Sequence, residues 1–171
     1  KEYISRKQGK RKVVYVHKDV ESFTSETYGL PIYQEQIMQL CTELAGMTMV
    51  EANAVRRITS KKKDASALEP YRLKFVAGAA EKIGIERVLT HFGVPATEEN
   101  MQKYHHLNKS YWQKLERGEI TREQVLSLRF EDFFSDFGIK VNGAEVDGLY
   151  RQTLNESAFL LDGVMDLLNG L

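Results

Sequence analysis

The sequence predicts an all-α protein, helical bundles joined through one long shared helix, with room for a short β element only near the N-terminus. Three observations carry this reading. Helix-start and helix-stop signals punctuate the chain from Thr48 to Gly138. Apolar residues between them recur at i, i+3, i+4 and i+7. Three prolines and no Gly/Ser-rich run leave little length for structureless loops.

Residues 1–27 are mixed. Ser5–Lys12 reads as a polar loop, and the β-branched and aromatic run Lys12-Val-Val-Tyr-Val16 reads as the one candidate strand. Pro31 sits where the next helix should begin, because its missing N–H costs nothing in a first turn. Ile32, Gln36, Gln39 and Leu40 make no clean face, but Ile37, Leu40, Cys41 and Leu44 do, and Gly46 ends that helix. Thr48 and Glu51 form a capping box for a short helix through Ile58. Lys61–Asp64 is a charged break.

A long helix should run from Ala67 or Pro70 to Phe92, with a rough stripe of Leu73, Val76, Ala80, Ile83, Arg87 and Val88. Gly78 and Gly84 each cost that helix about 1 kcal/mol relative to Ala. Gly93 stops it, and Thr97 caps the next, whose face is Met101, Tyr104, Leu107, Tyr111 and Leu115, with Gly118 as the stop. Thr121 and Gln124 form a second capping box, before Val125, Leu128, Phe130, Phe133 and Phe137. Asn142-Gly143 reads as a turn. Ala144–Leu161 reads as a helix broken near Asn155–Ser157, with Asp162 capping a last turn.

The 171 residues suit one domain or two small ones, and a 42% hydrophobic content excludes a disordered chain. The zero net charge hides an asymmetry. Residues 1–83 hold 15 Lys/Arg against 10 Asp/Glu; residues 84–171 hold 9 against 14. The first half can meet phosphates, whereas the second repels them. No apolar run approaches the ~20 residues of a membrane span, and no signal peptide is visible. The single cysteine, Cys41, forms no internal disulfide, so a reducing, cytoplasmic setting is expected. The opening on Lys1 rather than Met suggests a processed or excised chain.

Few residues ask for chemistry. His105 and His106 are adjacent and project in different directions on a helix, and His91 stands apart, so no metal site is expected and no cofactor. Capping explains Glu98-Glu99, and Glu116 with Glu119 makes no acid/base pair. Cys41 lies in an apolar stripe and reads as a buried, inert thiol.

Two segments resemble known families. Arg6-Lys7-x-Gly9, Thr27-Tyr28-Gly29, Tyr33-Gln-Glu-Gln36, Leu44-Ala-Gly46, Arg56-Arg57, Lys61-Lys62, Arg72 and Phe75-Val-x-Gly78-Ala79 follow one another in residues 1–82. In order and spacing they resemble the fingers region of the bacterial DNA polymerase III alpha subunit. The resemblance makes Arg56, Arg57, Lys61 and Lys62 candidate nucleotide or phosphate contacts, with Tyr28 and Tyr33 nearby. Between them the family has Ala-Met-Gly, where this chain has Ile58-Thr-Ser60. The palm carboxylates that bind Mg²⁺ in that family precede this region.

Residues 79–171 carry Ala79-Ala-Glu-Lys82, Phe92-Gly-Val-Pro-Ala-Thr-Glu-Glu99, Asn108, Trp112, Leu115-Glu-Arg-Gly118, Thr121-Arg-Glu123 and Arg129-Phe130. They resemble the helical cap of a haloacid-dehalogenase-superfamily phosphatase of the pyrimidine nucleotidase branch. The resemblance makes Tyr104, Asn108, Trp112 and Arg129 candidate cap-pocket residues, although aromatics at helical spacing are usually core. That family's Asp-x-Asp nucleophile motif occurs nowhere in the 171 residues.

The two resemblances meet at Gly78–Lys82, inside the expected long helix. They imply a chimera of two enzyme fragments, engineered rather than naturally recombined, with no catalysis of its own. One alternative is a nucleotide- or DNA-phosphate-binding module using the basic segment. Another is part of a nucleotidase or polymerase whose catalytic core lies outside this chain. Self-association through faces that the parents bury, weak nucleotide or nucleic-acid binding and no membrane contact are the expected partnerships.

Overall fold

The computed structural model describes the backbone of residues 2–60 and 65–169, and the side chains of residues 2–60 and 66–157. Among these residues the regular elements are helical, and the all-α class holds. The α-helices are α1 (Glu2–Lys7), α2 (Lys18–Thr24), α3 (Gln34–Gln39), α4 (Met49–Ser60), α5 (Glu69–His91), α6 (Glu98–Glu116), α7 (Arg122–Ser135) and α8 (Gly143–Asn169). A wide π-type turn, Leu40–Leu44, continues α3. None of the described helices is long and apolar enough to cross a membrane. The chain divides into two compact units, residues 1–82 with 156–171, and residues 83–155.

The first unit is built from short helices that could not stand alone in water. Side chains therefore tie their irregular joints. Gln36, only 6% exposed, accepts from the N–H groups of Ile32 and Tyr33, both at 2.9 Å. Its amide donates to the Phe23 carbonyl and to Thr27 Oγ1, again at 2.9 Å. One side chain thus fixes the entry to α3 and the exit from α2. His17 caps α2, its Nδ1 accepting from Asp19 N at 3.2 Å. Leu40, Cys41, Leu44, Val55 and Phe75 are buried in the core. A Cβ on Gly78 of α5 would lie 2.1 Å from the Ala45 carbonyl oxygen, so only glycine allows this approach.

The second unit packs α6, α7, the end of α5 and the start of α8 around aromatic rings. Tyr104 is fully buried, stacked on Phe130 at 5.6 Å and edge-on to Phe133 at 5.6 Å. Phe134 meets Phe92 at 4.9 Å. Such offset and edge arrangements suit the ring quadrupoles. Thr97 and Thr121 cap α6 and α7 through Asn100 N and Gln124 N, as their spacing predicts.

Several expectations give way. No strand forms among the described residues: Lys12–Tyr15 has no regular structure and no ladder partner. Part of the Ser5–Lys12 loop is instead the end of α1. Pro31 does not open α3, which starts at Gln34 because the Gln36 side-chain oxygen takes the N–H groups of Ile32 and Tyr33. Leu73 is 66% exposed and Phe75 carries the buried face of α5 instead. Asn142 is not in a free turn; its Oδ1 accepts from Ala144 N at 3.1 Å at the start of α8. That helix runs through Asn155–Ser157 unbroken, and Asp162 falls within its span rather than at the start of a separate last turn. The charged break at 61–64 lies outside the described residues.

Gly78→Ala tests the close approach. Helix propensity alone would favour alanine by about 1 kcal/mol. Overpacking against the Ala45 backbone costs about 1–3 kcal/mol or more, so the variant should unfold at lower urea concentration than the parent. Stabilisation would show that the contact is not tight.

Candidate phosphate-binding helix end and cap network

The cations singled out in the first unit stand in the last turns of α4 and just beyond it. The Thr48–Glu51 capping box sets the start of α4: Glu51 accepts from Thr48 N at 2.9 Å and from its hydroxyl at 2.8 Å. A bond from the Lys74 ammonium and those from Thr48 hold the Glu51 carboxyl down at about 2. At the other end Arg56 donates from Nη1 to Gln34 Oε1 at 2.9 Å. Its Nε is buried and makes no hydrogen bond in the described structure. Arg57 is exposed. Lys61 and Lys62 lie outside the described residues. The hydroxyls of Thr59 and Ser60 cap the Arg56 carbonyl at 3.0 and 2.7 Å. This is a helix C-terminus, where the dipole favours cations on the protein and disfavours an approaching anion.

In the second unit, the structure joins three of the four candidate cap residues. Asn108 Oδ1 accepts from Trp112 Nε1 at 3.1 Å and from Arg129 Nη1 at 2.8 Å. Arg129 Nη2 donates to Asp147 Oδ1 at 2.6 Å, with both side chains 6% exposed. Asp147 Oδ2 also receives Arg151 Nη2 at 2.7 Å. The guanidinium lies 4.6 Å from the Phe130 ring and 5.5 Å from that of Tyr150, the range of a cation–π contact. Its Nε is buried without a hydrogen bond. Tyr104 sits in the aromatic core, stacked on the Phe130 ring. Arg129 is thus a buried charge held in place by a carboxylate, an amide and two rings.

Asp147 and Arg151 were not singled out in the sequence, although their i, i+4 spacing on α8 was a readable signal. The bond from the Tyr111 hydroxyl to Asp132 was also missed, since 21 residues separate the two. Burial first, then Asp132, pushes the Tyr111 phenol up to about 12. His91, His105 and His106 are all exposed. Cys41 is 1% exposed.

Burial pushes the Cys41 thiol from 9.0 up to about 12, so the folded state prefers the neutral thiol. The associated stability is complete below the unfolded value and is lost as pH rises from 9.0 toward 12. An aromatic disulfide reagent near pH 8 should label Cys41 slowly in the folded chain and quickly in urea. Equal rates would place the thiol at the surface.

Arg129→Met should cost about 3–5 kcal/mol, because it strands a buried carboxylate. Replacing both partners, Arg129→Met with Asp147→Leu, should recover much of that loss in urea unfolding. A double variant as unstable as the sum of the singles would mean the pair does not interact.

Residues 1–83 match the bacterial DNA polymerase III alpha subunit finger domain. The DNA polymerase III alpha subunit of Halalkalibacterium halodurans is 43% identical over 81 residues, 47% of this chain and 7% of that protein. The alpha subunit of Thermus aquaticus is 37% identical over 103 residues, 57% of this chain and 8% of that protein. A putative HAD-hydrolase of Bacillus subtilis, YfnB, is 30% identical over 93 residues, 54% of this chain and 40% of that protein. The chain thus spans under a tenth of these polymerases and less than half of the hydrolase. No solved structure matches. The resemblance is therefore mixed: the N-terminal half is similar to a polymerase finger domain, and the chain is similar also to a HAD hydrolase.

Proposed function

We propose that these 171 residues form a folded helical hybrid without catalytic activity of its own. In this reading a polymerase-finger segment, residues 1–82, continues into a phosphatase-cap segment, residues 79–171, and the splice lies at Gly78–Lys82. The observation that carries it is the work done by the residues of the resemblance. Gln36, Gly29, Gly78 and Thr27 hold backbone joints, and Arg129 holds Asp147. They are committed to the fold rather than presented to a substrate. Gly78–Lys82 falls inside α5, where a splice that keeps the 3.6-residue period preserves the buried face. This suits deliberate helix fusion. A reducing cytoplasm suits the unpaired Cys41. Self-association through exposed Met49, Val50 and Leu73 belongs to the same reading.

A second reading, phosphate binding at the end of α4, is favoured by one observation: the buried Nε of Arg56 lacks a hydrogen bond while Arg57 is exposed. The α4 dipole opposes it, so binding there would be weak. Two assays separate the readings. The repurified chain with Mg²⁺ should release no phosphate from nucleoside monophosphates and extend no primer; turnover that survives repurification overturns the first reading. Binding of a nucleoside triphosphate that Arg56→Gln/Arg57→Gln abolishes would establish the second.

A further inference from the structure

We infer that Asn142 is a site of spontaneous deamidation, with water as co-reactant, which the fold holds closed through Glu131 and which opening of the first turn of α8 exposes. Asn-Gly is the dipeptide most open to this chemistry, because a glycine amide has no side chain to hinder attack. The Gly143 nitrogen gives up its proton and bonds to Asn142 Cγ. The Cγ–Nδ2 bond breaks, and Nδ2 leaves with that proton as ammonia. Water then opens the cyclic imide at either carbonyl, giving aspartate or isoaspartate.

The approach of α8 to α7 forces these two residue types together. A Cβ on Gly143 would lie 2.0 Å from the Ser127 carbonyl oxygen, so the first residue of α8 has to be glycine. The residue before it has to cap the helix. Asn142 Oδ1 does so, accepting from Ala144 N at 3.1 Å and from Glu145 N at 3.4 Å. Asn142 is exposed, so water reaches it.

The same contact supplies the guard. Gly143 N donates to Glu131 Oε1 at 3.1 Å, and that oxygen also takes the Ser127 hydroxyl at 2.6 Å. The bonds from Ser127 and from Gly143 hold the Glu131 carboxyl below its ordinary value, which makes it a poor base for the amide proton. Its charge also disfavours negative charge developing on the Gly143 nitrogen. Attack therefore waits until this turn opens, and the native rate follows the open population. Isoaspartate adds a methylene to the main chain between cap and helix. That shift is incompatible with both the cap and the close approach to Ser127, so a reacted chain does not regain the native second unit.

The test ages the full chain at neutral pH, in buffer and in urea, and maps it by tryptic digestion and mass spectrometry. The peptide Val141–Arg151 carries the site, and fragment ions separate Asn142 from Asp147-Gly148 on the same peptide. The other Asn-Gly pair, Asn169-Gly170, reaches beyond the described residues and is followed on its own peptide. Asn142 should stay intact in buffer and react in urea. Glu131→Ala should react roughly tenfold faster than the parent in buffer, the factor that one charge-assisted hydrogen bond carries. Val125→Ala, which loosens α7 from its buried side, is the control, with the two variants compared at urea concentrations where they are equally stable. After ageing in urea the parent should lose refolding, read by circular dichroism, whereas Asn142→Ser, which keeps a cap and has no carboxamide, should retain it. Equal rates in buffer and urea overturn the closed site, and reaction confined to Asn169 overturns the site itself. A rate in Glu131→Ala that is slower than the parent's, or no faster than that of Val125→Ala, overturns the guard. Equal loss of refolding in parent and Asn142→Ser overturns the consequence drawn for isoaspartate.

Discussion

The carboxamide of Gln36 is the interaction on which the first unit depends. Helices α2 and α3 have seven and six residues, too short to repay nucleation by themselves. Their stability has to come from the joints between them, where backbone donors and acceptors would otherwise be buried without partners. Gln36 uses both amide hydrogens and its oxygen at once, and the groups it reaches span Phe23 to Tyr33. Glutamate could not donate to Phe23 or Thr27, and a shorter asparagine would not reach them. Gly29 serves the same joint from the other side. Its φ is +77°, and a Cβ there would lie 3.0 Å from the Val14 carbonyl and 3.1 Å from Arg6 Nη1.

The second unit solves its packing differently. Its helices α6 and α7 are 19 and 14 residues long and carry their own caps, so no single side chain has to stitch them. Rings fill the centre, and the cost is one buried cation. Arg129 lies on the same face of α7 as Phe133, where an apolar residue would ordinarily sit. Asp147, Asn108 and the faces of two rings compensate it. A buried ion pair of this kind adds little net stability compared with hydrophobic residues of the same volume, yet it is expensive to break.

Local signals were legible and long-range ones were not. The Thr48–Glu51 and Thr121–Gln124 boxes were readable because cap and partner lie three residues apart. Gly93 and Gly118 were readable as stops, at φ +77° and +72°. Helices α1 and α2 were not, since their short runs lack periodicity and depend on contacts such as Arg6 with Tyr28, 22 residues away. The run Lys12–Val16 has the composition of a strand but, among the described residues, no second strand to pair with, and composition cannot supply one. Of the candidate sites, Asn108, Trp112 and Arg129 were singled out together and do meet. Their anchor Asp147 was missed because it lies 18 residues beyond Arg129 on another helix.

Similarity in sequence and the placement of candidate contacts are separate questions in the first half of this chain. Residues 1–83 match a polymerase finger domain, and some of the side chains quoted for the likeness, Thr27, Gly29, Gln36 and Gly78 among them, close turns and joints. A match of that kind reports that the scaffold is kept. It does not report what the scaffold presents, because substrate contacts come from exposed side chains that folding does not constrain. At the end of α4 the cations sit against an unfavourable dipole, and one of them, Arg56, is already bonded to Gln34. At the Arg6–Lys12 turn the order is reversed: Glu2 and the Tyr28 carbonyl hold the two arginines, and three lysines stand outside them. The arginines hold the turn through these bonds, and the exposed lysines take no part in them.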